Sequence, residues 1–484
     1  MTEREETSRW FVLVLVCLAQ FMVILDATIV NVALPSIQRD LHFSAADLQW
    51  VINSYTLTFG GFLLLGGRAA DIVGRRRLFV AGTLLFTAAS LVNGLSTSAG
   101  MLTVARGVQG LGAALVSPAA LSIITTTFPE GADRQKALGV WSAIAAGGGA
   151  VGLLLGGILT DQLSWQWIFF VNVPVGLVAA ALSWRYISES RMVGRSGFDV
   201  TGAVSVTAGL IVLVYAIVKA QEFGWGSGRT LGLAAIALAL LAIFLVIERR
   251  SHAPLVRLGI FRVRSLTGAN LVLLVVAGGL FALFFFASLY VQEILGYNPL
   301  KAGLAFLPVS FMIGIGAGLA QALVRRLGVK AVAVFGMVVA TAGLFLLSRV
   351  PADGTYASDL LPGLLLMSFG MGNTFVPITL IATTNVAPED AGLASGLFNT
   401  SQQVGGALGL AVLSTLAADK TTRVLTSLGH PPSAHEQAVA LTDGFGVAFT
   451  GGAILMLAGL IMLVVLIRRS DVANVNPEAA PAPG

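Results

Sequence analysis

A chain of 484 residues that is 56% hydrophobic and only 11% charged, with a mean hydropathy of +0.87, lies far from soluble domains, which average about 45–50% apolar and about 25% charged. This excludes a soluble enzyme or scaffold and defines an integral membrane protein. The apolar runs are about 20 residues long, the length a helix needs to cross roughly 30 Å of hydrocarbon, and lack the ten-residue alternation of a membrane barrel. The net charge of +5 and a pI near 9.6 do not point to nucleic acid, because the cations fall by topology.

Taken in order, runs of about 18 or more largely apolar residues predict helical spans at 10–34, 48–66, 78–97, 101–126, 137–160, 167–187 and 200–219, then at 230–247, 267–292, 303–324, 330–349, 359–385, 391–416 and 443–467. Fourteen spans put both chain ends on one side. Most of the 29 Lys and Arg residues flank that side, among them Arg4, Arg9, Arg75, Arg76, Arg77, Arg249, Arg250, Arg325, Arg326, Arg468 and Arg469. The positive-inside rule makes it cytoplasmic. No cleavable signal is evident, so the first span is expected to stay.

Span 1 carries the one acid deep in an apolar run, Asp26, within Leu25 to Pro35. A charge near the bilayer centre costs at least about 2.5–3.5 kcal/mol on insertion scales, so an acid there points to function. Arg106 lies in span 4. At 1.5 Å per residue both groups sit about 8–12 Å from the same end of their spans, which predicts a pair. Burial favours the protonated acid and the cation favours the ionised one, the balance a proton carrier needs; a static ion pair is the alternative.

The turn from Gly67 to Arg77 joins spans 2 and 3 and holds Gly74, Asp71, Arg75 and Arg76. Glycine permits the tight turn and the arginines anchor on an anionic leaflet. In span 5, Gly148, Gly152, Gly156 and Gly157 form a small-residue stripe that lets helices approach closely. At one constant offset Ile37, Gln38, Leu41 and Phe43 match Val291, Gln292, Leu295 and Tyr297, and Gly74 and Arg76 match Gly328 and Lys330. This predicts two parallel repeats of six spans with a substrate site where they meet. Residues 1–197 form the first half, with the proton site; 198–258 hold inserted spans 7 and 8; 259–469 form the second half; and 470–484 form a disordered tail. Residues 417–442 read as the longest outer loop, and all four histidines read as loop residues.

No lysine follows a glycine, which excludes a phosphate-binding Gly-Lys loop. No His-Glu-x-x-His or Cys pair offers a metal site, and the lone Cys17 reads as inert filler. The chain is therefore expected to be no enzyme and to need neither cofactor nor metal, its work being driven by a gradient.

These residues carry a resemblance. Gly67 to Arg77 resembles motif A of the major facilitator superfamily. Leu102 to Ala114, with Arg106, Gln109, Gly110 and Gly112, resembles motif B, and Gly148 to Gly157 resembles the antiporter motif C, with Leu153 where proline is usual. Leu25 to Pro35 is similar to the first-span motif of the fourteen-helix drug:proton antiporter branch. So are Trp165 to Pro174, Phe198-Asp199 with Gly202, and Gly392 to Gly396.

The resemblance implies an all-α membrane protein of fourteen transmembrane helices, two pseudo-symmetric six-helix halves plus two inserted helices, acting as a proton-coupled exporter of amphipathic drugs or antibiotics across a bacterial cell membrane. Asp26 and Arg106 would couple the proton, and Asp71, Gly67, Gly74, Arg75 and Arg76 would gate. Asn53, Tyr55, Asn270, Asn373, Asn399 and Gln402 are the candidates for contact with substrate. The expected partners are that substrate, protons and the lipid bilayer, with no nucleic acid, and the expected form is a monomer. A dedicated exporter of one endogenous natural product and a transport-inactive sensor are the alternatives.

Overall fold

The computed structural model describes residues 3–129, 131–191, 199–251, 254–387 and 390–472. The described residues form long helices and no strands. We number the spans α1 (Glu3–Leu41), α2 (Trp50–Val73), α3 (Arg75–Gly94), α4 (Ala99–Thr127), α5 (Ala132–Gln162), α6 (Trp167–Tyr186, broken at Val171), α7 (Val200–Phe223) and α8 (Gly228–Arg250). Then come α9 (Arg264–Ile294), α10 (Pro299–Leu327), α11 (Val329–Leu347), α12 (Tyr356–Thr383), α13 (Ala391–Ser427) and α14 (Ala434–Leu466). Among the described residues 13 helices are long and apolar enough to cross a membrane. The fourteenth, α13, has the length but carries Asn399, Thr400, Ser401, Gln402 and Gln403 in succession. The protein is a multi-pass helical membrane protein.

Helix ends follow local chemistry. Asp199 caps α7 by accepting from the Gly202 N–H at 2.7 Å, which gives the Asp199–Gly202 pair its physical reason; Phe198 lies outside the described residues. One glycine separates α2 from α3 (Gly74, φ 120°), and one separates α10 from α11 (Gly328, φ 82°), a backbone conformation that other residues rarely adopt.

One expectation is corrected. Residues 417–442 are not a long loop: α13 runs on to Ser427 and α14 starts at Ala434, where Ser433 and Glu436 form a capping box, so His435 lies in a helical first turn. Apolar length marks the thickness of the hydrocarbon, whereas these helices continue past it into polar sequence. The expected tail does not start at 470, since Arg469–Val472 form a helical turn with Asp471 paired to Arg264; beyond Val472 it lies outside the described residues.

Helices α1 to α6 pack among themselves through α2 on α4, α3 on α4, α1 on α5 and α3 on α6; α9 to α14 do so through α11 on α12, α9 on α13, α10 on α12 and α9 on α14. The inserted α7 and α8 pack on each other, and α7 touches both α2 and α13. We call the end of the bundle that holds the start of α1 the terminal face. There Arg76 donates to the Trp184 and Ile187 carbonyls that end α6, at 3.5 and 3.3 Å, and Lys330 donates to the Val464 and Ile467 carbonyls that end α14, at 3.0 and 2.5 Å. The repeat thus extends to what matched side chains do.

At the opposite face the halves meet where Ser288 Oγ and Gln292 Nε2 of α9 donate to the Asn31 and Val32 carbonyls of α1, at 2.7 and 2.9 Å. Nearer the terminal face α2 meets α13, with Thr400 Oγ1 donating to the Gly60 carbonyl at 3.2 Å.

Candidate ion-coupling and gating sites

Asp26 and Arg106 are 0% and 1% exposed, and Arg106 Nη1 donates to Asp26 Oδ2 at 2.5 Å. Arg106 is held by its own bonds, Nε donating to the Val51 carbonyl at 2.9 Å and Nη1 to Gln109 Oε1 at 2.7 Å, with its guanidinium 4.4 Å over the Tyr55 ring. The other carboxylate oxygen, Asp26 Oδ1, accepts from Gln109 Nε2 at 2.8 Å and Asn172 Nδ2 at 3.0 Å. Both amides give their second proton to Ser90 Oγ, at 2.6 and 3.1 Å. Four helices, α1, α3, α4 and α6, therefore converge on one acid. Arg106 and Gln109 are three apart on α4 and so face the same way.

A carboxylate with three donors and one full positive charge is a satisfied buried acid; a lone one would be far too costly in so dry a place. Chemically it can hold a proton or a cation's charge. Among the described residues no group of three or more His, Cys, Asp and Glu could hold a metal ion.

The glycine stripe of α5 lies against α1. A Cβ on Gly148 would stand 2.9 Å from Ile24 Cγ2, one on Gly152 would strike Thr28 Oγ1, and one on Gly156 would lie 2.6 Å from the Ile29 carbonyl. Gly157 faces the other half, where a Cβ would lie 2.6 Å from the Pro299 carbonyl of α10. Leu153, in the place of the usual proline, is buried, and its carbonyl lies 2.6 Å from where a Cβ on Gly303 would stand.

At the terminal face Asp71 pairs with Arg75 at 3.1 Å. Glu189, which sequence reasoning did not single out, docks on the start of α3: its oxygens accept the backbone N–H of Arg76 and Arg77, both at 3.2 Å, with their guanidinium Nε atoms at 3.8 and 3.7 Å. A side chain on Gly74 would collide with this carboxylate, its Cβ 2.6 Å from Oε1, whereas Gly67 has room beside Pro118 at 3.5 Å. Asp390 at the start of α13 pairs with Arg257 at 2.9 Å; Glu389 lies outside the described residues.

The residues proposed for substrate contact divide. Asn53 is buried and donates to Gln49 Oε1 at 3.1 Å, Tyr55 is buried under Arg106, and Asn373 is buried and donates to the Phe369 carbonyl at 3.0 Å. Asn270 accepts from Ser401 Oγ at 2.8 Å across α9 and α13. Asn399 is exposed and Gln402 half-buried, both on α13. The structure does not bring the six together. A separate cavity of about 850 Å³ opens at the opposite face between Asp47, Lys219, Phe285, Phe286, Glu293 and Phe445.

Two bundles of six helices around an inserted pair, with a buried acid in the first bundle, define a membrane transporter. The sequence matches the model of the Major Facilitator Superfamily over residues 16–410, and the chain belongs to that family. It is 41% identical over 479 residues to the puromycin resistance protein pur8 of Streptomyces alboniger, covering 98% of this chain and 95% of that one. With the cephamycin export protein CmcT of Amycolatopsis lactamdurans it shares 40% identity, over 94% of this chain and 92% of that one. Among solved structures an auto-inhibited peptide transporter of the POT family superposes with a TM-score of 0.69, covering 99% of this chain and 100% of the other at 16% identity, which speaks for the fold alone.

Proposed function

We propose that this transporter exports amphipathic drugs or antibiotics in exchange for protons, with Asp26 as the proton site and Arg106 as its modulator. The observation that carries the reading is the buried pair itself: a protonatable acid is kept beside a fixed cation, inside the first bundle, at a cost that packing alone does not require. The similarity to resistance and export proteins gives the direction and the substrate class. The cations crowd the terminal face, which we place in the cytoplasm, the chain being a monomer in the cell membrane. Residues 1–197 and 259–469 move as the two halves about the inserted 198–258. Asn399 and Gln402 of α13, being accessible, are the residues we assign to substrate, with Asn270 supporting that helix.

The test is transport in everted vesicles with an imposed proton gradient and puromycin as the probe. Puromycin uptake that collapses with the gradient supports the reading, and uptake indifferent to it refutes proton coupling. A dedicated exporter of one natural product is the second reading, favoured by the similarity to the cephamycin exporter. A panel of unrelated antibiotics separates the two, since the dedicated exporter protects against one scaffold only.

A further inference from the structure

We propose that Asn172 is the donor that lets go when Asp26 takes up a proton, and so is the positioning residue that sets the proton affinity of the site. The inference rests on the reading of Asp26 as the proton site. An ionised carboxylate accepts from all three donors that surround it; a proton taken up on Oδ1, which already accepts from Gln109 and Asn172, occupies one of that oxygen's two lone pairs and displaces one of the two amides. Which partner leaves is decided by how firmly each is held.

Arg106 is fixed by Val51 and Gln109 and is packed on Tyr55. Gln109 is fixed as well. Its Oε1 accepts from Arg106 Nη1 and from Asn93 Nδ2, both at 2.7 Å, so the amide cannot flip without facing two donors with a third. Its Nε2 must therefore stay turned towards Asp26 and Ser90.

Asn172 has neither restraint: the protein contacts of its Nδ2 are Asp26 at 3.0 Å and Ser90 at 3.1 Å, the two longest bonds of the network. Its backbone is also the least continuous. The helical hydrogen-bond ladder is interrupted beside Asn172, because Pro174 has no N–H to give to the preceding turn, although Val171 keeps helical dihedrals and bonds back to the Trp167 carbonyl at 3.1 Å. The short piece before the interruption, Trp167–Phe170, follows Trp165, whose Nε1 donates to Asp40 at 2.7 Å near the end of α1. A shift at the opposite-face end of α1 is thereby coupled to the residue that touches Asp26.

The ionisable groups facing Asp26 are Arg106 from α4 and Tyr55 from α2. The other helices round it, α3, α5, α6 and α9, carry ionisable side chains only towards their ends. No second acid is thus available to mask the titration.

The experiment reads the carboxylic-acid C=O band of Asp26 by infrared difference spectroscopy on the full chain in nanodiscs, with no substrate, the band being assigned by its loss in Asp26→Asn. Removing a donor to the ionised form in Asn172→Leu should raise proton affinity about tenfold, moving the midpoint to more alkaline pH. Asn172→Gln, which restores an amide donor, should recover part of the shift. Thermal melting on the same samples separates this from a loosened fold, which does not move the midpoint in a melt-neutral variant. A midpoint in Asn172→Leu within about twofold of the parent affinity, or no titrating Asp26 band, overturns the inference. If Asn172→Leu shifts the midpoint while Asp26→Asn still takes up puromycin in exchange for protons, Asp26 drops out of the coupling mechanism and the assignment of Asn172 to the titration of Asp26 stands.

Discussion

Asp26 of α1 and Arg106 of α4 meet at 2.5 Å inside the first bundle, each with no more than 1% of its side chain exposed. Breaking a buried pair from one side costs about 3–5 kcal/mol, because the remaining charge is stranded. Arg106→Ala should therefore lower stability by about that much and abolish efflux. Arg106→Lys should restore only part, since a point charge cannot serve Asp26, Gln109 and Val51 as the planar fork does. Asp26→Asn should leave an inserted, folded protein that binds substrate but does not exchange it for protons. The checks are thermal melting in detergent and gradient-driven uptake in vesicles; normal proton-driven uptake by Asp26→Asn would remove Asp26 from the mechanism.

Why was the pair legible in the sequence and its surroundings not? Charges inside apolar runs stand out, and helical rise turns sequence position into depth, so Asp26 and Arg106 could be matched across eighty residues. Ser90, Asn93 and Asn172 gave no such signal. Uncharged polar residues in spans often bond their own helix, as Thr83, Thr87 and Thr374 do here, to the carbonyl four residues back. The amides put forward for substrate show the same ambiguity, since Asn53 and Asn373 turned out to serve neighbouring turns. Glu189 was invisible for another reason. It sits in a connection more than a hundred residues from Gly74, and only the fold lays it on the start of α3.

Motif C gives a packing prediction. The approach of α5 to α1 depends on Gly152 and Gly156 having no side chain. Gly156→Val should push α5 away from Ile29 and cost about 1–3 kcal/mol, as overpacking does. Gly148→Ala, whose methyl meets side-chain atoms of Ile24 and Phe21 rather than backbone, should cost less. Melting temperature and uptake should fall together in that order. An undisturbed Gly156→Val would show that the stripe is not a close-contact surface.

Substrate charge follows from what the acids are doing. The spans hold one carboxylate at depth, Asp26, which in this structure accepts from Arg106, Gln109 and Asn172. A second cationic head would have no acid to meet at that depth, so substrates should be neutral or monocationic. Expression in an efflux-deficient host should raise tolerance of monovalent dyes several-fold and leave tolerance of bivalent biguanides unchanged. Robust biguanide resistance would contradict this.

The gate is where charge and helix ends act together. Glu189 accepts the Arg76 and Arg77 N–H groups in the first turn of α3, so it sits at the positive end of that helix, an arrangement worth roughly 0.3–1 kcal/mol and up to about 2 when partly buried. Asp71, four residues before Arg75 in the chain, holds the guanidinium of Arg75 on the other side of the same turn. Gly74 at φ 120° is what allows the turn to be one residue long and Glu189 to lie against it. Contacts of this size suit a device that must open in each cycle, since about 1 kcal/mol shifts a two-state population a few-fold while a much stronger one would lock it. Glu189→Gln keeps the shape but drops the charge, and should shift the halves a few-fold towards the state open at the terminal face. Asp71→Asn should act in the same direction, because in the state closed at that face its carboxylate is expected to turn to the start of α13, where Asp390 now holds Arg257. Gly74→Ala should be more damaging than either, as it meets both a strained backbone and the Glu189 carboxylate. Neither acid touches Asp26, so the pH dependence of proton uptake should be unchanged in all three. The measurement is the distance between spin labels on the terminal-face ends of α2 and α13 with and without a proton gradient. Distributions identical to the parent in both Glu189→Gln and Asp71→Asn would show that this turn does not gate transport.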